Sequence, residues 1–359
     1  MRKIFCLLFM LLPFSLWAQN DFVRHIITSE GEVTFWRGTQ KLWVSAITSP
    51  PVYEADYYVA PWGDDDNPGT FEEPWGSWDK AFNDPSPGDT VYFRGGEYQP
   101  INPGAAYAAV YVYADGAFNN YKNLLAYPGE VPVLNCYTAD RSIYRGIFLQ
   151  NCQYFRIKGL EIKNCLQKVD GSTFVHAFYT RASNKIIIEN CKAYDNEGVG
   201  FANMYCVDDT VHVVNCDAYN NYDPYTLPPN EPGGMADGFL TFETGTDSLN
   251  YTTYYGCRAW NNSDDGFDTY FNTGTVTNDL CWSFLNGYVE GNGFKMGPLH
   301  VAKSDSVRRV YRNCLSIENG YSGFNDNTSD PIKMTLYNNV AYKNGLSGIT
   351  MLMRIIQYC

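Results

Sequence analysis

Histidine is nearly absent from this 359-residue chain, with four in all. No cluster of cysteine and histidine with zinc-like spacing occurs, which removes zinc as the organising metal. Positive charge is also scarce: 26 Lys and Arg face 39 Asp and Glu, for a formal net charge of −13. Nucleic-acid binding needs a basic face to neutralise phosphates, and no such face can be built here. No apolar run approaches the ~20 residues of a membrane-spanning helix, so no membrane span is expected.

What the chain has in quantity is aromatic and turn-forming residues: 29 Tyr, 21 Phe, 8 Trp, 31 Gly and 18 Pro. That composition favours strands and tight corners over helices. The N-terminus is different in kind. Arg2 and Lys3 precede an apolar run over residues 4–12, and small or neutral residues follow up to Ala18. This order is that of a secretory signal over residues 1–18, so export and a soluble mature protein are expected.

Eleven cysteines in an exported chain suggest disulfides at first. Their context points elsewhere. Asn-Cys recurs at 135–136, 151–152, 164–165, 190–191, 215–216 and 313–314. A repeated context suggests a repeated position, where Cys serves as a small buried hydrophobe, with disulfides as the lesser alternative. Aligning the cysteines exposes an internal repeat: NCKAYDNEGVGF (190–201), GCRAWNNSDDGFD (256–268), NCLSIENGYSGFN (313–325) and NNVAYKNGLSGI (338–349). The offsets Cys191 to Val199, Cys257 to Asp265, Cys314 to Ser322 and Asn339 to Ser347 are all eight residues. Two units carry insertions, Cys281 to Asn292 and Cys216 to Asp237, and the second (221–233) reads as a protruding loop. Short alternating stretches such as KIIIE (185–189) separate the signatures and read as strands. Strands recurring every 24 to 41 residues, with Asn and Gly at the corners, predict an all-β solenoid of stacked coils.

Residues 56–98 are unlike the repeats, and a short helix around Trp78–Phe82 is expected to cover the solenoid's open N-terminal end, where a bare edge would invite pairing. DDDNPG (64–69) reads as a turn of that cap rather than a calcium loop, because it lacks the distal Glu and contains Pro68. Residues 19–55 show no repeat. After Gly348 the sequence ITMLMRIIQYC is apolar with no polar cap, so the 56–359 domain is expected to be truncated at its C-terminal end.

The register that defines the coils also aligns polar residues. Asp237, Asp265, Asn292 and Ser322 share one position, each before Gly-Phe. Leu240, Asp268, Lys295 and Asn325 share another, and Asp264 adjoins them. Neighbours in each row should lie about one ~4.8 Å strand step apart. Four converging carboxylates repel one another unless a cation sits among them, and Ca²⁺ with oxygen ligands tolerates this irregular geometry. A lone NSDDG would be only a solvated turn, and a lone lysine only an ion-pair partner of Asp268. Stacking is what makes them a site.

GGMADGF (233–239), CRAWNNSDDGFD (257–268) and NGFKMG (292–297) resemble the signature blocks of family 9 polysaccharide lyases, over roughly residues 56–345. That family contains pectate lyases and rhamnogalacturonan-cleaving enzymes on a right-handed parallel β-helix. The resemblance implies that Asp237, Asp264, Asp265 and Asp268 are calcium ligands and Lys295 the catalytic base. Asn325 stands where it would place an acid, and residues 298–306 depart in composition. Asn325, His300 and Tyr225 are candidate substrate contacts. The expected protein is a monomeric, calcium-dependent lyase acting on an acidic pectic polysaccharide, pectate or rhamnogalacturonan, by β-elimination. Calcium would also bridge an acidic protein to an acidic sugar. Two other classes fit the solenoid: a glycoside hydrolase using Asp237 and Asp268, which would leave saturated ends, and a sugar-binding protein, which would leave the polymer intact.

Overall fold

The computed structural model describes the backbone of strands Val23–Ile27, Val33–Arg37 and Gln40–Ser45, and residues 55–100, 107–206, 210–242, 251–272, 274–287, 291–297, 307–328 and 333–351 in full. The expected signal segment, His300 and residues 298–306 and 352–359 lie outside the described residues. The chain forms two units, Met1–Tyr53 and Glu54–Cys359. In the first, the three strands pair antiparallel in chain order, with a bulge between Phe35 and Trp36. Antiparallel pairing explains why this stretch shows no trace of the repeat.

In the second unit every sheet pairing is parallel, and each strand pairs with those one coil before and after it. Three sheets result. The largest has ten strands, from Tyr57–Val59 to Met334–Tyr337. A nine-stranded sheet runs from Gly96–Tyr98 to Val340–Tyr342, and another from Ala108–Val112 to Ser347–Thr350. The last of these carries the site and is called the site sheet below. The architecture is a parallel β-helix, as the repeat predicts.

Alternation sends one set of side chains inward to stack coil upon coil. On the ten-stranded sheet Phe155 and Ile157, Ile186 and Ile188, and Val211 and Val213 are buried in register. On the site sheet Phe178, Phe201, Phe239, Phe267, Phe294 and Phe324 form one stack with centroids 4.6–5.0 Å apart. That spacing equals the distance between strands, so the rings stack with no backbone distortion.

Corners explain the Asn-Cys signature. Asn151, Asn164, Asn190, Asn215 and Asn313 all have φ between 53° and 58°. This left-handed region disfavours side chains, and asparagine tolerates it better than most. The cysteine that follows turns inward, and all nine described cysteines are buried free thiols. At another corner Asn196, Asn221, Asn262, Asn286, Asn319 and Asn344 form a buried ladder, each side-chain amide donating to the next at 2.8–3.0 Å. These bonds satisfy polar groups that burial would otherwise penalise. The Gly of Asp-Gly-Phe has a steric cause. A Cβ on Gly266 would meet Ser283 Oγ at 2.1 Å and the Gly293 carbonyl at 2.7 Å.

Helix Trp78–Asn83 lies against the first coils. Trp78 and Phe82 meet Phe93 edge-on at 5.0 and 5.9 Å, and the Asn83 amide donates to the Tyr111 carbonyl at 3.0 Å. The carboxylate of Asp65 accepts from the backbone N–H groups of Gly76 and Ser77 at 3.0 and 2.8 Å. DDDNPG is thus fastened to the start of the helix.

Candidate active site

Consecutive strands of the site sheet place the aligned residues side by side. Leu240 pairs with Asp268, Asp268 with Lys295, and Lys295 with Asn325. One turn earlier, backbone bonds of 2.8–3.0 Å carry Asp237 to Asp265, Asp265 to Asn292 and Asn292 to Ser322. The inward Phe stack fixes which residues face outward: Phe267 and Phe294 fill the core, so Asp268 and Lys295 point away from it.

The side chains then converge. Carboxylate oxygens of Asp237, Asp265 and Asp268 lie within 4.8 Å of one another, and all three residues are buried. The Lys295 ammonium sits among them, 2.9 Å from Asp265 Oδ2 and 3.1 Å from Asp268 Oδ2. The other oxygen of Asp265 accepts from the backbone and side-chain N–H groups of Asn292 at 2.6 and 2.8 Å. Asp264 is half-buried outside this tight set and lines the same groove as Asp237, Asp268 and Lys295.

One ammonium cannot neutralise this cluster. Burial, reinforced by repulsion from neighbouring aspartates, raises the carboxyls of Asp237 and Asp264 well above their ordinary range. Burial likewise pushes Asp268 up to about 7, although Lys295 works against it. For Lys295, burial favours the neutral amine, but Asp265, Asp268, Asp264 and Asp237 outweigh it and hold the ammonium well above its ordinary value. Asp268 Oδ1 is buried without a hydrogen-bond partner. Converging carboxylate oxygens, surplus negative charge and an orphaned acceptor fit a hard, oxygen-liganded dication such as Ca²⁺.

The other expected contacts separate. Asn325 belongs to the site: its amide donates to Asn292 Oδ1 at 3.0 Å, so it supports the residue that orients Asp265. Tyr225 does not line the groove beside Lys295. Its ring lies under the Arg141 guanidinium at 5.1 Å, and its backbone N–H donates to Gln167 at 2.8 Å. His300 falls outside the described residues. The 221–233 insertion is less free than a protruding loop: residues 227–232 are exposed, but Asp223 is buried and accepts from Met235 N–H and Ser263 Oγ, both at 3.2 Å.

Sequence reading missed Arg309. It is fully buried, donating to the carbonyls of Met296, Gly274 and Asn272 at 2.7, 2.8 and 2.6 Å. It therefore ties the residue after Lys295 to the turn after Asp268. The available signal was an arginine in the inward row of its strand, in register with the core residue Val276.

Residues 57–354 match the family model described as Pel9A-like, right handed beta helix region. Pectate lyase PEL9 of Emericella nidulans is 28% identical over 350 residues, covering 86% of this chain and 78% of that protein. A solved rhamnogalacturonan lyase superposes with a TM-score of 0.67 at 27% identity, over 80% of this chain and 74% of that one. Pectate lyase Pel9A superposes with a TM-score of 0.60 at 26% identity, over 79% and 70%. Coil architecture, family model and relatives agree, and the chain belongs to the Pel9A-like right-handed parallel β-helices, the family 9 polysaccharide lyases.

Proposed function

We propose that this protein is an exported, calcium-dependent lyase that cleaves a pectic uronate polymer by β-elimination, with Lys295 as base. The observation that carries the reading is Lys295 itself, an amine held 2.9 and 3.1 Å from two buried carboxylates and open to a groove. Names of the relatives, pectate lyase and rhamnogalacturonan lyase, support an acidic pectic substrate.

Asp237, Asp264, Asp265 and Asp268 would hold the cation. Bound there, it would draw charge from the substrate carboxylate and make the hydrogen on the adjoining C5 more acidic. Lys295 takes that proton, the C5–H electron pair becomes the C4–C5 double bond, and the C4–O bond breaks. The departing oxygen takes up a proton, and the product has an unsaturated end. For this Lys295 must be neutral, whereas the aspartates hold its proton in place. Charge that offsets these carboxylates lowers the affinity of Lys295 for its proton, so activity should rise towards alkaline pH. Groove volumes of about 870 and 770 Å³ adjoin Lys295, which leaves room for a polysaccharide segment.

The test is an assay on pectic polymers with calcium, reading ultraviolet absorbance of the unsaturated product. Lys295→Ala should abolish product while leaving fold and calcium binding intact, and retained turnover would remove Lys295 as base. Chelation should stop the reaction reversibly. Saturated ends would mean hydrolysis, and binding without shortening would mean no catalysis.

A further inference from the structure

We propose that the N-terminal end of the solenoid carries a second sugar-binding surface, Trp62 with Phe71, which holds an uncharged, cellulose-type polysaccharide far from Lys295. The inference goes beyond the lyase reading and does not depend on it, since binding there involves no chemistry.

Aromatic residues of this end are of two kinds. Trp75 and Trp78 are 5% and 2% exposed and pack into the core of the first coils. Trp62 and Phe71, in the turns between Val59 and Trp75, are 64% and 44% exposed and add little to that core. A single exposed ring calls for no explanation, but these two are held together. The Arg94 guanidinium lies over both rings and over Tyr127, at 5.5, 4.6 and 4.8 Å from their centres. Arg94 is itself fixed, its Nε and Nη2 donating to the Glu130 carboxylate at 3.0 and 2.9 Å. Phe71 also meets Tyr58 edge-on at 5.3 Å. One ion-paired arginine therefore braces rings from separate stretches of chain. Rings ordered before a ligand arrives lose little freedom on binding it.

Local chemistry selects the occupant. A pyranose with equatorial hydroxyls, as in cellulose, presents its axial C–H bonds as an apolar face. Those hydrogens meet the negative face of an aromatic ring, and tryptophan offers the strongest one. Charge selects against an acidic sugar. Asp64 and Asp66 follow Trp62, Glu72 and Glu73 follow Phe71, and all four are exposed. Arg94 is already neutralised by Glu130. A uronate chain would meet like charge here, whereas the hydroxyls of an uncharged glycan can donate to these carboxylates.

Position separates this surface from the carboxylate cluster. On the ten-stranded sheet, seven strand steps lie between Tyr57–Val59 and Thr275–Asp279, the strand that opens the coil of Lys295. That is ~34 Å along the solenoid, so Trp62 cannot touch the sugar being cleaved. The two surfaces can engage different polymers at once, and a tether of this kind raises the local concentration of enzyme on a mixed matrix.

The experiment is affinity electrophoresis of the full-length protein with calcium, through gels containing hydroxyethyl cellulose or polygalacturonate. Wild type should be retarded by hydroxyethyl cellulose. Trp62→Ala should weaken that affinity roughly 10- to 30-fold, Phe71→Ala by a smaller factor, and Trp62→Tyr, which keeps a ring, should retain most of it. Trp282→Ala is the control, being 46% exposed on another sheet, and should bind as wild type does. All four variants should release unsaturated product from soluble pectic oligomers at the wild-type rate, and circular dichroism confirms that each is folded. Free migration of wild type through hydroxyethyl cellulose, or equal retardation of Trp62→Ala, would overturn the surface. Retardation by polygalacturonate that Trp62→Ala removes would overturn the choice of an uncharged ligand. Slower oligomer cleavage by folded Trp62→Ala would overturn its separation from Lys295.

Discussion

Lys295→Met keeps the aliphatic stem of the lysine and deletes its charge, so it measures what the ammonium does for the cation-free fold. The Lys295 side chain is 18% exposed, and those of Asp265 and Asp268 are 1% and 8% exposed. Breaking a buried, hydrogen-bonded ion pair by removing one partner typically costs about 3–5 kcal/mol, because the abandoned charge stays buried. Here the cost depends on pH. Asp268 is raised to about 7 even with Lys295 in place, so below that value it protonates and the penalty shrinks. At pH 8 in chelator the full penalty applies. At roughly 2–4 °C per kcal/mol this lowers Tm on the order of 10 °C. Calcium at a hundred times its Kd adds about 2.7 kcal/mol, which offsets much of the loss relative to cation-free wild type. Thermal melts followed by circular dichroism, with chelator and with calcium at pH 5 and pH 8, read all four conditions. Lys343→Met is the control, since its pair with Glu318 spans 3.6 Å with side chains 60% and 45% exposed, and it should barely shift Tm. An unchanged or higher Tm for Lys295→Met at pH 8 in chelator would refute the ion-paired cluster.

Three further outcomes follow from the same geometry. In chelator, wild-type stability should fall as pH rises from about 4 to about 7: folding raises Asp268 from 3.8 to about 7, so the folded state favours its protonated form, and that advantage is lost as the carboxyl ionises. Calcium should flatten the profile, and a cation-free Tm that climbs over this range would contradict it. Asn262→Ala should cost about 2–4 kcal/mol in denaturant melts, since it removes bonds to Asn286 and the Ala218 carbonyl and strips Asn221 of one acceptor, each 2.8–3.0 Å long. Arg309→Lys should lower both Tm and kcat, because one ammonium cannot span three carbonyls 2.6–2.8 Å from the guanidinium; unchanged values of both would show that Arg309 does not position the Lys295 strand.

Much of the site was legible because a solenoid turns sequence register into spatial adjacency. Once the Cys-to-Gly offset was found, Asp237, Asp265, Asp268, Lys295 and Asn325 could be placed as neighbours from letters alone, and the strand pairings agree. Register says nothing about Tyr225, which sits in an insertion, and its ring packs on Arg141. Arg309 escaped because an inward arginine contradicts the pattern used to recognise the core.

The sequence by itself determined the stacked coils, their Asn and Gly corners, the repeated cysteine position and the rows of polar residues. These are local rules repeated at a fixed interval, and repetition makes them readable. Only the tertiary structure decided that Lys295 bonds Asp265 as well as Asp268, that Asp264 stands outside the tight carboxylate set, and that one groove joins this cluster to Arg145 and Arg181. Those facts depend on side-chain directions and burial summed over five or more coils. No single repeat contains that information, because a coil acquires its surroundings only when its neighbours stack upon it.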